Sequence, residues 1–347
     1  MESTDAELLD RSTVLIERIE QARFETLSKN FLRDTDGTQS YGLPGWNAYS
    51  RVAGVTRASK LLFLEMIRQQ PELCSLIDQA TDGEQPDAQD ALRRCATAQS
   101  IQLRSNRLDR LQTPEIGDIA AILLATAQVD GQLPIEINEW LMMSAQVVPV
   151  TTYMQRRGYS QAVRCLYAEW LPKTHESMAY RALDIAMRYD LDTGAIIARR
   201  NLSAHLDSRL REVAILALAK FGDAQDIPSL LELFDDETLC QEHPKPHRIM
   251  TSTSPIFEAD EAPPGAPPTA LTEQQLVRYR ICDLALGAAL SLSGENLEDA
   301  FPYFVPTDGR GLDVRSVVVD VNEEQLAERR EMLERTKLRL GEAATKR

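Results

Sequence analysis

Cys240, His243 and His247 stand at the spacing C-x2-H-x3-H. A thiol and two imidazoles are the ligand types that zinc prefers. Asp235 or Asp236, just upstream, could supply a fourth ligand. A structural zinc site usually draws on two tight ligand pairs, whereas this segment runs on into a proline-rich stretch, so ordinary loop residues are the expectation. The other two of the four histidines, His175 and His205, have no neighbouring nucleophile pattern such as G-x-S-x-G. Neither a G-x-x-x-x-G-K-S/T phosphate loop nor a G-x-G-x-x-G turn occurs. Acids in pairs, at Asp235–Asp236, Glu136–Glu139 and Glu323–Glu324, could share a proton or a divalent cation, but turns and solvated helix faces account for them. Trp46, Trp140 and Trp170, with Tyr41, Tyr49 and Tyr153, could line a ligand groove; burial between helices is the commoner fate of such rings. The loop Tyr41–Trp46 is the aromatic segment to watch, since loops on rigid scaffolds often carry function. No catalytic, cofactor-binding or metal-ligating residue is assigned.

The elements that would position such groups are helical almost throughout. Leu8, Leu9, Leu15, Ile16 and Ile19, then Phe24, Leu27 and Phe31, keep helical spacing up to the turn Asp34-Thr35-Asp36-Gly37. Helices are expected at 57–70, ending before Pro71, and as two or more segments between 88 and 129. Further helices are expected at 135–144, 159–170 and 177–189, with another running through Arg200. Leu210, Val213, Ala214, Ala217, Leu218 and Phe221 form one apolar face that Gly222 ends, and Pro228 suits the first turn of a short helix at 227–234. Prolines 244, 246, 255, 263, 264, 267 and 268 exclude a helix or a central strand over 242–272. A helix is then expected to resume at Glu273, with Val277, Ile281, Leu284, Ala285, Ala288 and Leu292 on one face. A last helix starts near Asn322. The organisation expected is an N-terminal helical region (1–78), a polar linker (79–90), a helical region passing into a solenoid (91–241), the proline-rich insertion (242–272), and the last solenoid helices with a C-terminal helix (273–347).

Composition narrows the class. Forty-three per cent hydrophobic and 26% charged residues are those of a folded globular chain, and 6% aromatics favour helical packing over a β-sandwich. A net charge of −15, with doublets such as Arg93-Arg94, Arg156-Arg157 and Arg199-Arg200 diluted by acids, argues against a nucleic-acid partner. Five scattered cysteines read as reduced thiols of a cytoplasmic protein. Acidic and polar residues follow Met1, so no signal peptide is expected, and the run Ile116–Val129 is too short for a membrane span.

Asp207, Arg211, Val213-Ala214 and Lys220-Phe221-Gly222-Asp223, followed by IPSLLELFDD, resemble a HEAT repeat of the short, phycobilisome-lyase-like kind. In such repeats the turn Asp pairs with an Arg. Arg181 and Arg280 take comparable places in flanking units that lack the preceding Asp. LPGWNAYSRVAG, LFLEMIRQQPEL and VRYRICDLALGAALSLSGEN, together with the solenoid between them, resemble an uncharacterised bacterial family of HEAT-repeat proteins of planctomycete type. Its members often carry an N-terminal export or membrane segment, which is not expected from the residues that follow Met1. The resemblance implies an all-α, HEAT-like α-solenoid with an N-terminal helical region. A solenoid presents an extended surface suited to protein partners, so the expected function is a non-enzymatic protein-interaction or scaffold role without a cofactor. A tetrapyrrole lyase or chaperone-like enzyme is the alternative from another class; a HEAT-like nucleic-acid binder is disfavoured by charge.

Overall fold

A computed structural model describes residues 21–34, 41–82, 87–108, 114–131, 133–155, 160–203, 207–244, 276–301, 311–312, 314, 317, 319–320 and 323–345. The chain is predominantly helical and divides into two compact units, Met1–Glu176 and Ser177–Arg347.

In the first unit, α1 (residues 21–33) is followed by α2 (Trp46–Ala53), α3 (Arg57–Gln69), α4 (Pro71–Asp82), α5 (Ala88–Leu108), α6 (Ile116–Gln128), α7 (Ile135–Ser144), α8 (Val148–Gln155) and α9 (Ser160–Trp170). Helix α6 is the axis. Every residue from Ile116 to Thr126 is buried, as expected of a helix that is apolar all round, and α3, α4, α5 and α9 pack on its sides. The run taken from sequence as too short for a membrane is thus the centre of a core. Among the described residues no helix is long and apolar enough to cross a membrane. Helix α3 comes close enough to α6 that only glycine fits at 117: a Cβ there would lie 2.5 Å from the Glu65 carbonyl oxygen. The polar stretch 79–90 joins α4 to α5, which pack together, and helix continues through its first four residues to Asp82. Pro71 both ends α3 and opens α4, where its missing N–H is no loss.

The second unit comprises α10 (Ala179–Tyr189), α11 (Gly194–Arg200), α12 (Ser208–Phe221), α13 (Ile227–Leu231), β1 (Leu239–Pro244), β2 (Leu276–Arg280), α14 (Ile281–Ser293), β3 (Val319–Asp320) and α15 (Glu323–Thr345). Its axis is α14, buried at every position from Ile281 to Leu290. Helix α12 packs against α10, α11 and α14, while α13 packs against α14 and α15. Because α12 has neighbours on several sides, its buried residues (Arg211, Ala214, Ile215, Ala217, Leu218 and Ala219) are wider than the single face read from the sequence. Gly222 does end α12, but with φ −75 it serves through space rather than handedness. A Cβ would meet the Leu218 carbonyl oxygen at 2.6 Å.

One expectation is corrected. Residues 276–280 are a strand, not the start of a helix; β1, β2 and β3 form an antiparallel sheet in that order. Leu239 pairs with Arg280 and Pro244 with Leu276, with a bulge at Cys240. The alternation Val277-Arg278-Tyr279-Arg280 suits a strand better than a helix. Helix α14 starts only where the Ile281 N–H meets the Thr238 carbonyl. β1 lies at the sheet edge, where a strand tolerates proline such as Pro244 at its end. The small sheet also qualifies the all-α expectation.

Candidate functional site

The residues singled out in the sequence are not gathered into one site. Cys240 is half-buried at the β1 bulge, and burial, then the charge of Glu212, pushes its thiol up to about 12. Such a thiol is neither a ready nucleophile nor a ready thiolate ligand. His243 follows in β1 opposite Val277; its side chain and His247 lie outside the described residues. Both nearby acids are engaged: Asp236 pairs with Arg211 and accepts from the Thr238 N–H at 3.0 Å, and Asp235 accepts from Lys337 at 2.6 Å. Among the described residues no group of three or more His, Cys, Asp or Glu side chains is placed to hold a metal ion. His175 is half-buried in the turn before α10, and His205 lies outside the described residues. Glu139 pairs with Arg104 of α5 while Glu136 is exposed, and Glu323–Glu324 open α15 with side chains outside the description.

Four of the six aromatic candidates are core, while Tyr41 and Tyr153 are half-buried. Trp46, Tyr49, Trp140 and Trp170 are at most 2% exposed. Phe31 meets Trp46 edge-on at 4.7 Å between ring centroids, and Phe63 packs against both Trp46 and Tyr49. Two of their polar tips are bonded within the core, as burial favours: the Tyr49 hydroxyl donates to the Ser59 carbonyl at 2.9 Å, and Trp170 Nε1 donates to Asn138 Oδ1 at 3.1 Å. The loop before Trp46 is held rather than open, with Tyr41 at φ 52 and Gly45 at φ 82 against the Cys74 backbone. Lys60 points its ammonium beneath it, donating to the Phe31 carbonyl at 2.9 Å and lying 4.7 Å from the Phe31 ring centre.

Sequence reasoning missed a polar recess in the first unit, a cavity of about 530 Å³. It is framed by the end of α3 (Gln69, Gln70), the start of α4 (Pro71, Glu72), α5 (Gln99, Gln102, Leu103) and the start of α6 (Pro114, Glu115, Asp118). Glu115 and Asp118 form the capping box of α6: Asp118 Oδ2 accepts from the Glu115 N–H at 2.9 Å. Across the helix junction, Gln70 Nε2 donates to Asp118 Oδ1 at 2.8 Å and Gln69 Nε2 donates to Glu115 Oε2 at 2.5 Å. Arg68 lies between Glu65 and Glu115. The signal in the sequence was the repeated Pro-Glu at 71–72 and 114–115, two helix starts. Nothing local says that the two meet.

The second unit holds a chain of buried ion pairs. Arg211 is paired with Asp236, so the arginine expected to meet Asp207 meets the acid after α13 instead, while Asp207 caps α12 through the Arg209 N–H at 2.8 Å. Arg280 Nε donates to Asp283 at 3.0 Å, Arg329 Nε lies 3.6 Å from the same carboxylate, and Arg329 Nη1 donates to the Ala300 carbonyl at 2.7 Å. Burial pulls the Arg329 guanidinium down, partly offset by Asp283. Tyr279 donates its hydroxyl to Glu212 at 2.9 Å; burial, then this bond, pushes the phenol up.

Between α11 and α13, Arg199 forks onto Asp226 with contacts of 2.6 and 3.0 Å. Burial raises the Asp226 carboxyl, but the Arg199 hydrogen bonds, the Asp223 N–H and the Arg199 charge outweigh it and hold the group below its usual 3.8. A lowered carboxyl stabilises the fold above the unfolded-state value and ceases to do so as pH falls through the folded-state value. Asp226→Asn should therefore lose about 1 kcal/mol at pH 7, a modest amount because Arg199 is 45% exposed. In urea melts at stepped pH that difference should shrink below about pH 4. A difference constant from pH 7 to pH 3 would refute the assignment.

No family model matches the chain, and no curated protein or solved structure matches it.

Proposed function

We propose that the chain is a non-enzymatic helical interaction module of HEAT-like type, which holds a protein partner on the exposed faces of its paired helices. The observation that carries this reading is where the buried charges are spent. Lys60, Arg211, Asp226, Arg280, Asp283 and Arg329 are each bound to a group that closes a helix end or ties one element to another. The succession of helices in the second unit supports the solenoid part of the reading. Alternate helices α10, α12 and α14 are neighbours in turn, and α11 packs on α12 as α13 packs on α14. Lys220 of α12 reaches back to the end of α10, donating to the Met187 carbonyl at 3.0 Å and lying 3.0 Å from Asp190. Ties of this kind between successive helix pairs are what a one-dimensional stack needs. Apolar side chains left on the helix surfaces, Tyr180 of α10 at 51% and Ile196 of α11 at 39% exposure, offer anchors of the kind interfaces use.

The test is capture from native lysate on the tagged full chain beside a form lacking residues 245–272, a deletion that spares strand β1. A stoichiometric partner with both forms is the expected result. A partner lost on deletion would place binding on the proline-rich segment and overturn the helical-face reading, as would reproducible capture of nothing.

A further inference from the structure

We propose that α15 is a releasable latch: it unseats as one unit from α13 while the rest of the second unit stays folded. The device is independent of which partner the helix faces hold. It follows first from how little of the helix is buried. Among its described side chains only Arg329, Leu333, Thr336 and Leu340 are buried, at i, i+4, i+7 and i+11. That is one narrow seam, and only two of its four members are aliphatic. Leu338, two residues before the last of them, is 68% exposed. Helix α14 by contrast is buried at every position from Ile281 to Leu290. Elements with few buried apolar contacts are those that open below the free energy of global unfolding.

The ion pairs that fasten α15 lie along its rim. Arg330 reaches Glu237 at 2.8 Å, Lys337 reaches Asp235 at 2.6 Å and Arg339 reaches Glu295 at 2.6 Å. In each pair one side chain is more than half exposed, so water competes for it and the pair contributes little.

The charge that α15 buries works against its seating. Asp283 is already met by Arg280, through the backbone N–H and Nε at 3.0 Å each and Nη2 at 3.4 Å. Arg329 brings a second guanidinium to the same carboxylate, at 3.6 Å and 4% exposed. The Ala300 carbonyl and the Phe301 ring, whose centre lies 4.5 Å from Arg329 Cζ, compensate that charge in part. A buried charge that is only partly matched costs desolvation, and that cost disappears when α15 lifts. Opening also leaves Asp283 with its partner, because Arg280 belongs to the body of the unit.

The experiment is native-state hydrogen–deuterium exchange of the full chain, read by mass spectrometry. Amides of 326–342 are expected to exchange together, about a hundredfold faster than those of 285–293. Ile215→Val then tests whether the two helices open independently. Ile215 is fully buried in α12, which packs against α10, α11 and α14, and the change is mild enough for the unit to stay folded. It weakens the body equally whether the latch is open or closed. Amides of α14 should therefore exchange about fivefold faster, and those of α15 at an unchanged rate. Equal rates in the two helices, equal acceleration of both by Ile215→Val, or rates graded along α15 from its C-terminus, the mark of fraying, would each overturn the proposal.

Discussion

Asp283→Ala should cost the second unit about 3–5 kcal/mol, the penalty for leaving buried charge without its partner. Asp283 is fully buried at the first turn of α14, and it serves three groups at once. It accepts from the Arg280 backbone N–H at 3.0 Å, from Arg280 Nε at 3.0 Å, and it faces Arg329 Nε at 3.6 Å. Removing the carboxylate uncaps α14 and leaves two guanidinium groups, each 4% exposed, facing each other. The partial help from Glu237 is weak, since that side chain is 49% exposed and shared with Arg330. Urea denaturation followed by circular dichroism measures the loss. If the penalty is uncompensated charge, the triple change Asp283→Leu, Arg280→Met, Arg329→Met should recover most of it, because an apolar replacement of a whole buried network is often neutral. An Asp283→Ala variant within 1 kcal/mol of the parent would mean that water reaches this cluster.

Gly117→Val should destabilise the first unit by about 1–3 kcal/mol, the usual range for overpacking a close contact. The contact cannot relax by moving a side chain tip. The Cβ would lie 2.5 Å from the Glu65 carbonyl oxygen and 2.8 Å from its carbon, both backbone atoms of α3. Only separation of α3 from α6 relieves it, and that separation would also pull Gln69 and Gln70 from Glu115 and Asp118. Gly341→Ala in α15 is the matched control, because nothing lies within 4 Å of a Cβ there. That change should stabilise by about 0.5–1 kcal/mol through helix propensity alone. Thermal melts of the two variants should shift in opposite directions; shifts of the same sign would contradict the close-approach account.

Local signals in the sequence reached the helices and stopped at contacts made far along the chain. Residues 135–144 were bounded by Pro134 and an apolar run, and α7 occupies those residues. Asp207 and Gly222 bracketed α12 in the sequence as they do in space. The strand at 276–280 was not legible, because Val277, Ile281 and Leu284 also satisfy a helical period. What selects the strand is pairing with 239–244, across a proline-rich stretch. The ion pairs show the same limit. Arg211 stood out, but its partner Asp236 is 25 residues on and beyond another helix. The cavity was least visible of all. Its two amide–carboxylate contacts join residues 46 and 48 positions apart, and each glutamine alone looks like any exposed helix residue. The aromatic rings were easier, since burial of large rings between helices is what packing demands.

The proposed function places binding on exposed helix faces rather than on any reactive group. The direct measurement is the affinity of the captured partner for the parent chain and for Tyr180→Asp/Ile196→Asp, compared at equal melting temperature. Loss of tenfold or more is predicted, about 1.4 kcal/mol of binding free energy. An unchanged affinity in a variant that melts like the parent would contradict the account.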